Sequence, residues 1–350
     1  MNIDHTYLYR CIELARLGAG SVAPNPMVGA VLVYDGMIIG EGWHQQYGQA
    51  HAEVNCINQA IQQGHAQKIP LSTMYVSLEP CAHFGKTPPC ADLIIQYSIP
   101  AVVIGCRDPF EAVNGKGIEK LRAAGVIVQL ADEEVEKACK ELNKRFFTFH
   151  TKQRPYIRLK WAQSANKKIA GIGERVLISN EYTNRLVHKW RSEEAGILVG
   201  TNTALLDNPS LTNRLYEGPT PVRLILDMDL RLPASLHVFD RTVRTIVFNS
   251  KKQQEQEGQL YYKISKENDL IAELLQALYL LNIQSVLVEG GSRLLQSFFD
   301  SHCWDEIAVI TNTKMNIDQG LNAPVISSVI QQQQQTMLTD TIETYIPNRN

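Results

Sequence analysis

Apolar positions recur at helical spacing from the start of the chain: Tyr7, Cys11, Leu14, Ala15 and Leu17 predict a first helix. Short apolar runs at 29–33 and 37–39 flank Asp35-Gly36, a dipeptide that marks a hairpin when it joins two extended segments. Val54, Ile57 and Ile61 predict a helix with one apolar face. Residues 74–78 predict a strand, Leu93 to Ile95 the start of another helix, and 101–105 and 126–130 two further strands. Strands alternating with helices predict an α/β sheet covered on both faces. The polar stretch Thr151-Lys152-Gln153-Arg154 runs into Pro155, which disfavours helix just before it, so a seam is expected between 144 and 155. Alternation then restarts, with strands at 156–159, 197–200, 222–226, 245–248, 286–288 and 307–310 and helices at 181–190 and 269–281. Two domains are expected, 1–150 and 151–350. The Gln-rich stretches 253–259 and 331–335 read as solvated loops or element edges.

Length agrees with this division: 350 residues is about two domains at roughly 150 residues each. At 44% apolar and 20% charged residues, the composition is that of a globular protein and excludes disordered, collagen-like and disulfide-scaffold classes. Thirty-four basic residues against 36 acidic ones, a net charge of −2, give no global attraction to nucleic acid. With no aromatic-basic interleaving, this argues against a nucleic-acid-editing reading. No apolar run approaches the roughly 18 residues needed to span a bilayer. Asp4, Arg10, Glu13 and Arg16 interrupt the N-terminal apolar positions, where a secretory signal has an unbroken core, so a cytoplasmic protein is expected. Seven widely spaced cysteines then point to metal or catalytic use rather than to disulfides.

The strongest chemical signal is His51-Ala52-Glu53, followed beyond a strand by Pro80-Cys81 and then Cys90. Zinc takes nitrogen and thiolate ligands in tetrahedral geometry. His51, Cys81 and Cys90 supply three, and the fourth position is left for water, which zinc converts to a nucleophile at neutral pH. Glu53 can carry the proton from that water to a ring nitrogen and a departing amine. His-x-Glu with a later Pro-Cys-x-x-Cys is the zinc deaminase signature, but here eight residues rather than two separate the cysteines. His51 and Glu53 stand about 200° apart around an ideal helix, so they converge only if the metal lies off its N-terminus. Cys81, after Pro80, is expected to open the next helix and to set the thiolates near its positive end. His83 and Cys106 are rival ligands, with His83 favoured as a substrate contact or loop cap.

The run Pro80-Cys81-Ala82-His83-Phe84-Gly85-Lys86-Thr87-Pro88-Pro89-Cys90 closely resembles the bifunctional deaminase–reductase family of riboflavin biosynthesis. Upstream, Pro24-Asn25-Pro26-Met27-Val28-Gly29-Ala30, Gly42-Trp43-His44 and His51-Ala52-Glu53-Val54 match the same family, and the likeness extends more loosely over nearly the whole chain. It implies an N-terminal cytidine-deaminase-like α/β/α domain and a C-terminal dihydrofolate-reductase-like α/β domain. The implied first reaction is zinc-dependent loss of ammonia from a diaminopyrimidinone bearing a phosphoribosylamino group, with Asn25, His44 and His83 on the substrate side. Asn25 also reads as a turn residue before Pro26, and His44 as the end of a hairpin. A homo-oligomer, dimer or larger, is implied as well, with a small-molecule pyrimidine ribosyl phosphate as the binding partner.

In the second half, Val288-Glu289-Gly290-Gly291-Ser292 joins a buried-type strand to a helix near Arg293. Such a turn can let a phosphate approach backbone N–H groups, or can simply be tight. It is not a dinucleotide fingerprint, because no Gly-x-Gly-x-x-Gly follows a strand in this half. Gly200-Thr201-Asn202-Thr203, with the stretch from Asp207 to Arg214, reads alone as a capped loop. The resemblance implies that NADPH reduces the ribosyl C1′ to a ribityl group here. It sets Thr203, Asp207, Gly291 and Ser292 at the cofactor and Arg191, Leu211, Arg214 and Glu289 at the sugar phosphate. An arginine fork suits phosphate; a solvated helix or loop face is the alternative for each arginine. Two departures stand out. Ser164-Ala165-Asn166-Lys167-Lys168 replaces the family's Ser-Leu-Asp-Gly-basic pattern, and Leu177 stands where tryptophan is usual. They leave open a working reductase or a domain that only binds substrate, in which case the chain is a deaminase alone.

Overall fold

The computed structural model describes residues 3–84, 88–111, 113–172 and 176–348. The chain divides into two compact units, Met1–Lys152 and Gln153–Asn350.

The first unit runs α1 (His5–Arg16), β1 (Gly29–Tyr34), β2 (Met37–Trp43), α2 (Ala52–Gln62), β3 (Thr73–Leu78), α3 (Cys90–Gln96), β4 (Ala101–Cys106), α4 (Lys116–Ala123), β5 (Ile127–Leu130), α5 (Glu133–Leu142) and α6 (Lys144–Lys152). Its sheet has the order β2-β1-β3-β4-β5. The β1–β2 hairpin closes on Asp35 and Gly36, both at positive φ (49° and 72°), the two-residue turn that matches strand twist. From β3 to β5 the strands are parallel. Alternate residues of each strand serve opposite faces. Ala30, Leu32, Met74, Val76, Val102 and Ile104 meet residues of α2, α3 and α4, whereas Val31, Val33, Tyr75 and Val103 meet residues of α1 and α5. The result is an α/β/α layering.

The apolar face of α2 differs from the expected one. Ala52, Cys56, Ile57 and Ala60 are buried, Val54 is half-buried and Ile61 is exposed. Small residues at i, i+4 and i+8 let the helix lie directly on β2. A Cβ on Gly42 would stand 2.3 Å from the Cys56 nitrogen, and one on Gly40 2.6 Å from the Cys56 carbonyl. Leu17 likewise falls past the end of α1 and is exposed. The expected seam is mostly helix, because α6 continues to Lys152, and α4 and α5 were not expected at all.

The second unit runs β6 (Tyr156–Ser164), β7 (Lys168–Gly171), α7 (Glu181–Glu193), β8 (Gly196–Gly200), α8 (Thr201–Asp207), β9 (Val222–Leu226), β10 (Thr245–Asn249), β11 (Gln254–Gln256), β12 (Gln259–Lys263), α9 (Leu270–Leu280), β13 (Ser285–Gly290), α10 (Ser292–Asp300), β14 (Glu306–Asn312), β15 (Gly320–Asn322), β16 (Val329–Met337) and β17 (Asp340–Pro347). Ten strands form one sheet in the order β11-β12-β10-β9-β8-β13-β6-β14-β17-β16. It is parallel from β12 to β14 and antiparallel at both ends. Residues of α9 and α10 cover one face, and residues of α7 and α8 the other. The segment read as a capped loop from Gly200 is thus a helix from Thr201. The glutamine run 331–335 is the middle of the edge strand β16, held by antiparallel pairing to β17.

The departure at 164–168 keeps its turn by other means. Asn166 Oδ1 accepts from Ser164 Oγ (2.6 Å) and from the Ile317 N–H (3.2 Å), and its amide donates to the Ile317 carbonyl (2.9 Å). Lys167 carries φ 58°, in the left-handed region that costs a side-chain-bearing residue about 1 kcal/mol. Replacing Lys167 with Gly is expected to raise the unfolding free energy by up to about 1 kcal/mol in urea titration; a loss of stability would contradict this reading of the turn.

Candidate functional site

Two groups of chemistry-bearing side chains lie at the carboxyl ends of parallel strands. In the first unit, His51 is the residue just before α2, with extended backbone (φ −75°, ψ 169°), so its ring leaves the helix end rather than its side. Glu53 follows in the first turn and is buried. Beyond β3 the chain passes Glu79 and Pro80 to Cys81. Cys81 does not open a helix: α3 begins at Cys90, after Pro89, and Cys81 lies in the preceding non-helical loop. Two prolines, with φ fixed and no N–H to give, set the helix start there. The Cys90 N–H donates to Cys81 Sγ at 3.3 Å, so both sulfurs still meet at this end of α3.

His51 Nδ1 stands 3.6 Å from Cys81 Sγ and 3.4 Å from Cys90 Sγ, and the three ligand atoms all lie within 4.8 Å of one another. Tetrahedral zinc, with bonds of about 2.0–2.3 Å, holds such donors roughly 3.5–3.8 Å apart. One nitrogen and two sulfurs at these separations fit zinc. The hydrogen bond from Cys90, and then His51, pull the Cys81 thiol down, favouring a thiolate there. The Cys81 sulfur and then burial push Cys90 up. Burial also raises the Glu53 carboxyl, against the opposing pull of His51. The rival ligands are placed elsewhere: Cys106 donates its thiol to the Ser77 carbonyl within the core, and His83 is exposed, its ring 6.0 Å from that of Phe110. Gly85, Lys86 and Thr87 of the spacer lie outside the described residues.

Asn25 and His44 join the same site. The Ala50 carbonyl accepts from His44 Nδ1 (3.0 Å), which leaves Nε2 as the acceptor for the Asn25 amide (3.2 Å). The His44 ring lies edge-on to His51 at 5.2 Å. Burial lowers the His44 pKa, so the ring is a neutral, oriented contact. The loop carrying Cys81 is tethered by the buried Glu79. Its carboxylate accepts N–H bonds from Gly115 and Gly117 at 3.0 Å, from Ile118 at 3.3 Å and from Asp108 at 3.4 Å.

In the second unit, β8 ends at Gly200 and β13 at Gly290, on adjacent strands, and α8 and α10 start at once from those ends. An added Cβ on Gly291 would stand 3.1 Å from Thr203 Oγ1, so Thr203 lies close to the Gly290-Gly291 turn. Ser292 opens α10, its hydroxyl donating to the Asn322 carbonyl at 2.9 Å. Asp207 ends α8, one turn beyond Thr203. A backbone cradle beside two helix starts fits a dinucleotide phosphate group.

Next to it is a charged group on the α7 side of the sheet. Arg191 makes a two-pronged pair with Glu289, both contacts at 2.8 Å. Burial alone would raise the Glu289 carboxyl, but Arg191 and Lys160 hold it down, to about 2. Lys160 is itself lowered by burial and supported by Glu289. Arg214 is exposed, with its guanidinium on Thr212 Oγ1 at 3.0 Å. Leu211 is different: its side chain is 2% exposed and packs with Ile197, Val199 and Ile225, so only its main chain can meet a ligand. Sequence reasoning missed Lys160 and His188. The signal for Lys160 was the alternation of Arg158 and Lys160 with apolar residues along a strand buried on both faces. Leu177 is exposed, with no contact that compensates for the usual tryptophan among those described.

Comparison with known proteins covers both halves. A family model described as the cytidine and deoxycytidylate deaminase zinc-binding region matches residues 1–106, and one described as the RibD C-terminal domain matches 155–315. The riboflavin biosynthesis protein RibD of Aquifex aeolicus is 39% identical over 328 residues, spanning 91% of this chain and 89% of that protein. Its counterpart in Bacillus amyloliquefaciens is 39% identical over 315 residues, spanning 87% and 83%. The crystal structure of a diaminohydroxyphosphoribosylaminopyrimidine deaminase/5-amino-6-(5-phosphoribosylamino)uracil reductase from Thermotoga maritima is similar with a TM-score of 0.87, at 38% identity over 98% of both chains.

Purified protein is expected to carry about one zinc per chain by elemental analysis. Cys90→Ser should remove most of it, whereas Cys106→Ser, at another buried thiol, should not; equal loss from both variants would contradict the ligand set.

Proposed function

The chain belongs to the RibD family of bifunctional riboflavin-biosynthesis enzymes, and we propose that Met1–Lys152 carries the deamination and Gln153–Asn350 the reduction. The substrates proposed are those in the name of the Thermotoga maritima relative: the diaminohydroxyphosphoribosylaminopyrimidine for the first step and 5-amino-6-(5-phosphoribosylamino)uracil for the second. Both family domains are present, so the reading as a deaminase alone is not favoured.

For the first step, His51, Cys81 and Cys90 hold zinc, which supplies a water acidic enough to ionise near neutral pH. Asn25 and the neutral His44 orient the pyrimidine beside it. Glu53 carries one proton of the attacking water to the ring nitrogen, then the proton of the added hydroxyl to the leaving amine as the C–N bond breaks and the carbonyl forms, so that water enters and ammonia departs. The observation that carries this reading is a buried carboxylate beside a His/Cys/Cys cluster of zinc dimensions. His83, exposed at the rim, is assigned to the substrate side.

For the second step, Thr203, Asp207, Gly291 and Ser292 receive NADPH, which supplies a hydride for the ribosyl C1′. Arg191 and Arg214 address the sugar phosphate, Glu289 holds Arg191 in place and meets the sugar hydroxyls, and Leu211 contributes through its main chain. Opening of the ribose ring needs a proton on its oxygen. Asn166 holds an ordered, hydrogen-bonded turn where the family pattern has Asp-Gly, which supports a working reductase.

No helix among the described residues is long and apolar enough to cross a membrane. The cytoplasm is the proposed compartment, supported by seven cysteines that are all unpaired thiols. A homo-oligomer is proposed as well, supported by the exposed edge strand β16 and the exposed Val325 and Leu338 close to it in sequence.

Glu53→Gln separates the two activities. The variant should retain zinc and lose ammonia release by about 10²-fold or more. It should still oxidise NADPH when given the deaminated substrate. Undiminished ammonia release would overturn the role given to Glu53.

A further inference from the structure

We infer that His188 is a positioning residue of the reductase: its ring holds the main chain at Arg214 and so aims that guanidinium at the anionic end of the sugar-phosphate substrate. The inference rests on the reading of Arg191 and Arg214 as the groups that meet that substrate.

His188 and Arg191 stand three residues apart on α7 and so share a face. His188 is 2% exposed, and its Nδ1 accepts the Arg214 N–H at 2.9 Å. Arg191, besides gripping Glu289, donates to the Thr212 carbonyl at 3.3 Å. The segment from Leu211 to Arg214 is therefore tied to α7 at two points. It also begins under strain, because Leu211 has φ 51°, a left-handed conformation costly for a leucine. A strained segment keeps its course only while something retains it; beyond the buried Leu211 these two ties do so, together with the Asn213 amide on the Gly218 carbonyl. The guanidinium of Arg214 bonds, among the described residues, to Thr212 Oγ1 in the same segment, so its place depends on the main chain that carries it.

The ring is suited to this work. An imidazole that accepts at Nδ1 must be unprotonated there. Burial, with the neighbouring charges of Arg191 and Arg214, keeps His188 neutral, its pKa lowered to about 4 against the opposing effect of Glu289. A lysine or arginine at this position would add a third cation and could not accept. A leucine would fill the space and leave the Arg214 N–H without its partner.

The test uses the full-length zinc-loaded protein, with 5-amino-6-(5-phosphoribosylamino)uracil and NADPH as substrates and ribose 5-phosphate as a competitive probe. His188→Leu is expected to raise KM for the ribosyl phosphate roughly tenfold and to weaken the probe in parallel. It should leave kcat, KM for NADPH and the deaminase rate within about twofold. His188→Asn, whose Oδ1 can stand where Nδ1 stood, should restore most of the loss. Unchanged KM in the leucine variant, or a fall in kcat and melting temperature that asparagine does not rescue, would overturn the inference and reduce His188 to packing. Arg214→Gln separates this from the reading beneath it: if KM rises with His188→Leu but not with Arg214→Gln, the role given to Arg214 fails. Should the leucine variant not fold, hydrogen exchange of the wild-type Arg214 amide reads the tie directly. Slow exchange is expected, and exchange at the rate of an open loop would overturn the inference.

Discussion

A parallel strand buried on both faces can hold polar chemistry only at its ends, or inside in groups that neutralise one another. Both units obey that constraint. In the first, the end of β3 delivers Glu79, Pro80 and Cys81, and the turn into α2 delivers His51 and Glu53. In the second, β8 and β13 end at Gly200 and Gly290, where two helices begin. The one charged cluster beneath that edge considered for catalysis sets two cations, Lys160 and Arg191, on the single carboxylate of Glu289, which Arg191 grips at two points. Removing one partner of such a buried pair costs more than the pair contributes, so the cluster must be kept whole.

Positioning in each site comes from residues that never meet the reacting atoms. Glu79 is a buried carboxylate satisfied by main-chain N–H groups from the α4 side, which fixes where Cys81 can be. The close approach of α2 to Gly40 and Gly42 fixes where His51 and Glu53 can be. In the second unit the arginine loop is drawn onto α7. The His51, Cys81 and Cys90 ligand atoms stand at separations that fit zinc.

Much of this was legible in the residues. The hairpin at Asp35-Gly36, the parallel strands and the His/Glu/Cys/Cys set follow from patterns whose physical meaning is local. The helices α4 and α5 were not, because each turns too few apolar side chains inward; α5 buries only Val135 and Cys139. Its other signals were there to read: Asp132 caps Val135, and Glu133, Glu134 and Glu136 fill the first turn. The start of α3 at Cys90 was hidden because a cysteine after proline looks the same at Cys81. The strand at the glutamine run has no alternation at all and exists through its pairing with β17. Lys160 is marked in the sequence only by charges alternating with apolar residues along a buried strand, and His188 is legible only in three dimensions, since what matters is the Arg214 amide that comes to it from elsewhere in the chain. The missing Asp-Gly at 166–167 looked like damage to the reductase, yet the asparagine makes the turn and the lysine bears its strain.

The central claim is that one chain performs both reactions in sequence. The most direct measurement is the stoichiometry of a single reaction containing the zinc-loaded protein, the diaminopyrimidinone substrate and NADPH, with ammonia, NADPH absorbance and product followed together. The account predicts ammonia release followed by NADPH oxidation in equal amount, with a ribityl product. Ammonia release with no NADPH oxidation, even when the deaminated intermediate is supplied directly, would contradict it.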